Sequence, residues 1–236
     1  SRMDINNLID RGGLLYAPNK EKPFSGSVFA LYDNGQKKLN GRYRKGLMNG
    51  LWKYYYENGQ IRYQGSFVNG DGSYPDNYSD SLKLKYPPFG GRKGRWTGWY
   101  ENGQKKEEGT YKDGKKDGLI TKWYENGQKE EEGTYKDGEK DGKWTEWYEN
   151  GQKERKETYK NGEKKRWTEW YENGQKKSER TGWWDGKYTE WYENGQKKVE
   201  EHYKDGEEDG LWTEWDEDGN IISTKTYKNG QKRYED

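Results

Sequence analysis

The side chains able to do chemistry are few and thinly spread. Cysteine is absent and histidine occurs once, as His202. Thiol nucleophiles, disulfides and cysteine-held zinc are therefore excluded. One imidazole without a second His or Cys completes neither a metal site nor a nucleophile–base pair. His202 stands one residue before Tyr203, where other units of the chain carry Thr. No serine sits in a Gly-x-Ser-x-Gly elbow, and the glycines follow neither the dinucleotide nor the phosphate-loop pattern. With 43 Asp and Glu residues, close acidic pairs are inevitable. A glycosidase pair needs a unique cleft that raises one pKa, and a repeated sequence offers none; Glu130, Glu131 and Glu132 read as strand surface opposite lysines. Asp113 and Asp117, Asp137 and Asp141, and Asp205 and Asp209 recur four apart, the spacing of neither the EF-hand nor the calcium-binding nonapeptide. Asp-Gly turn chemistry accounts for them. The expectation is a protein that is not an enzyme, with no catalytic residue, cofactor or metal.

What remains is aromatic. The 236 residues include 13 Trp and 22 Tyr but only 24 Leu, Ile, Val and Phe together. So few aliphatic residues among 37% charged ones would ordinarily mean disorder. Any core must therefore be built from rings. Lys and Arg number 44, leaving a net charge of +1, which removes the electrostatic case for nucleic acid or an anionic membrane. No run of 18 apolar residues marks a membrane helix. Ser1-Arg2 ahead of Met3 reads as a cloning remnant. A trimmed secretion or lipoprotein signal is compatible with it, so the compartment is left open, with the cytoplasm as default.

The elements that carry these rings follow from a repeat. An Asx-Gly turn recurs with glycines at 35, 59, 103, 127, 151, 174, 195 and 219, in most cases within the string Tyr-Glu-Asn-Gly-Gln. A second glycine follows 11 residues later in most units, as Gly114, Gly138 and Gly162 do. A unit of about 24 residues with two turns has room for two strands. Asn-Gly between strand-like segments predicts a two-residue type I′ hairpin. That register sets Trp52 opposite Gly65, Trp96 opposite Gly109, Trp144 opposite Glu157 and Trp147 opposite Glu154. Strand alternation puts Trp144, Glu146 and Tyr148 on one face with Tyr159. A longer Asp-Gly loop over 136–141 brings Gly133 opposite Trp144. Rings lying on glycine backbone then hold the sheet. The other face carries one Trp per unit: Trp99, Trp123, Trp147, Trp170, Trp191 and Trp215. The predicted fold class is all-β, an elongated meander of antiparallel β-hairpin repeats in a single twisted sheet. It has some 16 to 18 strands, roughly 75 to 85 Å end to end at one strand spacing each, and no helix beyond a turn or two near 4–10.

The unit Gly-x-Tyr-Lys-Asp-Gly-x-Lys-x-Gly-x-Trp-x-x-Trp-Tyr-Glu-Asn-Gly-Gln, nearly complete over residues 133–152, resembles the MORN-repeat variant of many bacterial proteins. The resemblance covers about 24–234 and implies the same antiparallel meander. Many bacterial members are described as antitoxins of toxin–antitoxin systems; eukaryotic relatives are described as scaffolds, some of them lipid-associated. Residues 1–23 read as a lead-in strand or cap, and 24–236 as the array.

Two departures break the repeat. About 20 extra residues, Asp71 to Lys93, hold Pro75, Pro87 and Pro88 with Tyr74, Tyr78, Tyr86 and Phe89. Such a segment is either a recognition loop or a degenerate repeat with a strand over Leu82 to Tyr86. The unit around Gly182-Trp183-Trp184-Asp185-Gly186 is shortened by three residues. The expected function is a non-enzymatic, protein-binding scaffold, antitoxin-like in the form the resemblance implies. Its expected contacts are Tyr74, Tyr78, Tyr86 and Phe89 with the six-Trp stripe. The alternative is a glycan- or lipid-binding surface on that stripe, and the bland reading is that the stripe is packing. Partner identity and oligomeric state are not legible.

Overall fold

Two kinds of turn alternate along the chain and set every hairpin. In the computed structural model, which describes residues 2–234, the Asp-Gly and equivalent corners are the tight ones. Asp113-Gly114 has φ of 49° and 79°, Asn161-Gly162 50° and 77°, and Asp205-Gly206 52° and 81°. Positive φ at both central residues defines a type I′ loop. Lys112 accordingly pairs with Lys115, Lys160 with Glu163, and Lys204 with Glu207.

The Tyr-Glu-Asn-Gly-Gln corners correct the expectation of a two-residue loop. Gly151 N–H donates to the Tyr148 carbonyl at 2.9 Å, and Tyr148 N–H to the Gln152 carbonyl at 2.9 Å. Only the glycine is left-handed, at φ 84°, so the loop has three residues. The strand that follows restores the register with one extra residue. Trp147 pairs with Lys153, and Glu146 with Arg155, leaving Glu154 as a bulge. Trp147 therefore does not face Glu154, whereas Trp144–Glu157, Trp96–Gly109 and Trp52–Gly65 pair as predicted.

The result is the expected all-β hairpin meander, antiparallel except where Arg2–Asp4 pairs parallel with Gly26–Leu31. The chain divides into two units, Ser1–Gly127 with Tyr135–Gly138, and Gln128–Thr134 with Glu139–Asp236. In the first, strands Gly26–Leu31, Lys37–Arg44, Leu47–Tyr55, Ile61–Gly70, Arg92–Trp99, Lys105–Lys112 and Lys115–Trp123 pair in chain order. One face buries Val28, Tyr43, Met48, Trp52, Phe67 and Trp96. A small hairpin, Ile9–Arg11 with Leu14–Tyr16, docks through Leu15 N–H to the Gly46 carbonyl at 3.1 Å. A single 3-10 turn spans Ile5–Asn7.

In the second unit, Glu139–Trp147, Lys153–Lys160, Glu163–Trp170, Lys176–Arg180, Gly186–Trp191 and Lys197–Lys204 likewise pair in order. Gly210–Trp215 and Ile221–Lys228 continue the series. Trp144, 1% exposed, lies on Gly133, where a Cβ would clash with the indole. Its Nε1 donates to the Thr134 carbonyl at 3.1 Å. Bare backbone under a flat ring is how so little aliphatic residue makes an interior.

Candidate functional site

The signature string builds the stack, position by position. Its tyrosine hydroxyl donates to the carbonyl of the stripe residue one unit on: Tyr56 to Trp99 and Tyr100 to Trp123 at 2.7 Å, and Tyr148 to Trp170 at 2.7 Å. Its asparagine accepts from the glutamine N–H two residues on, as Asn150 does from Gln152 at 2.8 Å. The asparagine amide then donates to the next unit's glutamate carbonyl, Asn150 to Glu172 at 3.4 Å. None of these asparagines has the positive φ that a type I′ loop would demand of its first residue.

The six predicted stripe residues fall at one position of successive units, and all are half-buried. Four carry a lysine from the preceding unit: Lys105 lies 5.7 Å from the Trp123 ring centre, Lys129 5.8 Å from Trp147, Lys176 5.5 Å from Trp191 and Lys197 5.6 Å from Trp215. Each such lysine also pairs with a glutamate three residues on, Lys105 with Glu108 at 3.1 Å and Lys197 with Glu200 at 2.6 Å. The stripe is thus a ladder of ring, ammonium and carboxylate, with cation–π attraction on one side of each lysine and an ion pair on the other.

The inserted segment contains no strand over Leu82 to Tyr86. Ser79 caps a single helical turn, Asp80–Lys83, accepting from Leu82 N–H; Ser at the cap and Asp in the first turn favour a helix there. Tyr74, Tyr78, Tyr86 and Phe89 come together as a half-buried cluster. Tyr78 meets Phe89 at 5.2 Å and Tyr86 at 6.1 Å, and Tyr74 meets Tyr78 at 6.0 Å. Phe89 packs on Tyr111, and Tyr86 on Tyr63. Four of the predicted residues are therefore joined to one another and to the sheet of the first unit.

Arg92 holds this segment down, and the sequence reading missed it. It is 5% exposed, yet it has no ion-pair partner among the described residues. Nε donates to the Pro88 carbonyl at 2.8 Å and Nη2 to the Pro87 carbonyl at 2.7 Å. Its guanidinium lies 3.8 Å from the Phe89 ring centre, 4.4 Å from Trp96 and 4.9 Å from Tyr111. The signal was present: Arg92 occupies the Lys of the Asp-Gly-x-Lys pattern, and Lys140 at the same position lies 3.9 Å from the Trp144 ring.

The second omission is the shortened loop. Trp183 and Trp184 are 49% and 66% exposed, while the other eleven tryptophans are half-buried or buried. Trp184 rests one edge on Gly206, whose N–H donates to its carbonyl at 2.8 Å. Trp183 stacks loosely on Trp167 at 5.7 Å, and Arg180 lies over it at 4.9 Å.

His202 sits in a strand with Nδ1 2.9 Å from the Leu211 carbonyl, and the described residues hold no cluster of three or more His, Asp or Glu placed to bind a metal. Asp113, Asp137 and Asp205 stand at left-handed turn corners, as turn chemistry requires. Glu157 is the buried carboxylate, 5% exposed. Burial pushes its pKa up, but hydrogen bonds from Lys164 and from Tyr159 at 2.7 Å outweigh that. With the charges of Lys164 and Arg155, they hold it below the usual range. Arg155 bridges Glu169 at 2.9 Å and Glu146 at 3.4 Å. These groups pair with one another across the strands, and Glu157 also lines a cavity of about 240 Å³ with Lys156, Arg166, Trp167 and Arg180.

No curated protein matches the chain. The MORN repeat variant matches it seven times, at residues 48–69, 92–113, 116–137, 140–161, 165–182, 184–205 and 208–229. Most matches run from one strand through a three-residue corner to the next type I′ corner, the unit derived above from geometry; 165–182 ends instead in the shortened loop and 48–69 at the insertion. Seven matches over well above half of the residues make the chain a member of the MORN repeat variant family, a repeat-built binding scaffold.

Proposed function

We propose that this scaffold is non-enzymatic and binds a protein partner, an antitoxin-like neutralising contact being the specific form that the family resemblance suggests. The observation that carries the reading is the confinement of solvent-open tryptophan to Trp183 and Trp184, on the loop that shortens the unit. A uniform array has no specificity of its own, so recognition belongs where uniformity fails, and exposed Trp is the residue most enriched at interface hot spots. The insertion contributes a further contact region through the outer edges of Tyr74, Tyr78, Tyr86 and Phe89 and through Leu84, which is 84% exposed. The stripe Trp99, Trp123, Trp147, Trp170, Trp191 and Trp215 is proposed as a further contact surface. Glycan binding on the stripe is the weaker reading, because sugars stack on bare ring faces and four of these rings carry lysines.

The test is affinity capture from the source cells with mass spectrometry, followed by titration of the captured protein. Wild type is expected to bind it. Trp183→Ala with Trp184→Ala should lose at least tenfold in affinity at an unchanged melting temperature. Undiminished binding by the double variant, or a glycan array that responds while no protein is retained, would sink the reading.

A further inference from the structure

The insertion does more than cover the first unit; it closes a cavity of about 330 Å³ against the aromatic face of the sheet. The floor is Leu39, Met48, Trp52, Tyr54 and Tyr63, and the roof is Tyr74, Leu84, Tyr86, Pro87 and Pro88. Trp52, 1% exposed, backs Tyr54 at 6.2 Å with planes 26° apart, so the accessible aromatic walls are the half-buried Tyr54, Tyr74 and Tyr86. The roof is fixed before any ligand arrives. Arg92 holds the Pro87 and Pro88 carbonyls, and the Tyr74 hydroxyl donates to the Tyr86 carbonyl at 2.9 Å. A preformed apolar cavity of this volume is in the range of small-molecule sites.

Its polar lining is made of phenols and cations. The Tyr43 and Tyr54 hydroxyls line the cavity without a hydrogen-bond partner among the described residues. Tyr32 and Tyr74, in the same wall, have both found carbonyls. Burial pushes Tyr43 up to about 12 and Tyr54 well above the ordinary phenol range, so both stay protonated donors at neutral pH. Four cations, Lys38, Arg62, Lys83 and Lys85, line the same cavity, and no carboxylate does. Lys83 pairs with Asp80 at 3.2 Å; Lys38 and Arg62 lie over Tyr32 and Tyr56; Lys85 has no ion-pair partner among the described residues. Flat aromatic walls select a planar apolar body, the two phenols offer hydrogen bonds to an acceptor, and the cations favour a negative charge.

We propose that this cavity binds a small planar aromatic carboxylate, seated between the half-buried Tyr54 and the Tyr86–Pro88 roof with its carboxylate toward Tyr43, Tyr54 and the lysines. At roughly 30 Å³ per water the space holds about ten waters, which fits a bicyclic acid and not a longer chain. The roof residues Tyr74, Leu84 and Tyr86 are shared with the proposed partner contact, but the ligand reading does not rest on it.

The experiment is isothermal titration of the full chain with three isosteres: 2-naphthoate, 2-naphthalenemethanol and 2-naphthylmethylammonium. Naphthoate is expected to bind about tenfold tighter than the alcohol, with the ammonium weakest. Tyr54→Phe, which removes one oxygen and keeps the ring, should weaken naphthoate about three- to tenfold at an unchanged melting temperature. Lys38→Gln with Lys85→Gln should narrow the gap between acid and alcohol without weakening the alcohol. No naphthoate binding below millimolar, equal binding of acid and ammonium, or indifference to Tyr54→Phe would each overturn the assignment. If Tyr54→Phe lowers the melting temperature, the lysine pair alone decides it.

Discussion

The two units spend the same repeat on different interiors. In the first, the position across from the ring is glycine: Gly41 under Trp52, Gly65 under Trp96, Gly109 under Ile120. In the second, only Gly133 under Trp144 keeps that arrangement; the equivalent residues further on are Glu157, Arg180 and Glu201. A side chain there denies the ring its flat seat. Trp167, Tyr188 and Trp212 are half-buried and meet their neighbours tilted, as Trp212 meets Tyr203 at 54°. Trp52, in contrast, is 1% exposed and meets Tyr43 and Phe67 edge-on at 90° and 88°. Charge follows the same division. Lys and Arg outnumber Asp and Glu by 23 to 15 in the first unit, and are outnumbered by 28 to 21 in the second. The chain's net +1 conceals this segregation. One backbone plan therefore tolerates either a ring-on-glycine interior or an ion-pair mesh, and the two should respond to different stresses.

Deleting a ring should separate them most sharply. Trp52→Ala is expected to cost about 3–5 kcal/mol, as for a fully buried aromatic, with a large drop in the urea midpoint. Trp212→Ala, at the same repeat position but half-buried, should cost less than half as much. Equal losses would break the comparison.

Filling the seat comes next. Gly65→Ala and Gly133→Ala place a methyl where Trp96 and Trp144 lie, and each should cost about 1–3 kcal/mol through displaced rings. Glu201→Ala, at the equivalent position, should stay within about 1 kcal/mol. Near-ultraviolet circular dichroism, which reports ring packing, should change for the glycine variants and not for Glu201→Ala.

How far these differences could be read beforehand depends on what set them. The pairs Trp52–Gly65, Trp96–Gly109 and Trp144–Glu157 were legible because repeat spacing and strand alternation fix them with no knowledge of tertiary contacts. The corner type was not, because its hydrogen bonds include one from the Asn amide to the next unit, and that partner is remote in sequence. The bulge residues Arg62, Lys106, Lys177 and Lys198, which curl over Tyr56, Tyr100, Tyr171 and Tyr192, went unseen because they follow from the corner type. The insertion's aromatic content was legible and its closure over the sheet was not. Closure depends on Arg92, a cation that composition assigns to the surface and that three rings and two carbonyls make tolerable inside.

Acid should weaken the second unit selectively. Glu157 has a pKa below the ordinary carboxylate value in the folded chain, against about 4.3 when unfolded. Its contribution is therefore present above that unfolded value and lost as pH falls through the folded one. Glu200 behaves alike: burial pushes it up, but hydrogen bonds from Lys197 and Lys187 pull it lower. Glu146 acts in the opposite sense, because burial raises it against the pull of Arg155, so its contribution is present at low pH and lost as pH rises through its raised value. The net effect of Glu157 should be about 1 kcal/mol, since its partners Lys164 and Arg155 are about a third exposed and screened. Amide exchange at pH 3.5 against pH 7 should show strands Lys153–Lys160 and Glu163–Trp170 losing protection before Leu47–Tyr55 does. Glu157→Gln should abolish most of that difference, and uniform loss along the chain would contradict it.

The smallest effect is expected at the one residue that chemistry would have singled out. His202 occupies the position that Thr110, Thr134, Thr158 and Thr226 hold in other units, on the strand Lys197–Lys204 of the second unit. Its ring nitrogen meets the Leu211 carbonyl at a solvent-exposed position, where water replaces a lost partner at little cost. The backbone at this position, not the ring, carries the packing: the His202 carbonyl accepts from Trp212 Nε1 at 3.2 Å, as Thr134 accepts from Trp144. Any side chain compatible with a strand preserves that bond. His202→Ala should thus shift stability by less than about 0.5 kcal/mol and leave partner affinity unchanged, and His202→Thr should restore the consensus with no loss. If His202→Ala removed function from a fully folded protein, the imidazole would be doing chemistry, and the reading of the second unit as an ion-pair mesh without a reactive centre would have to be given up.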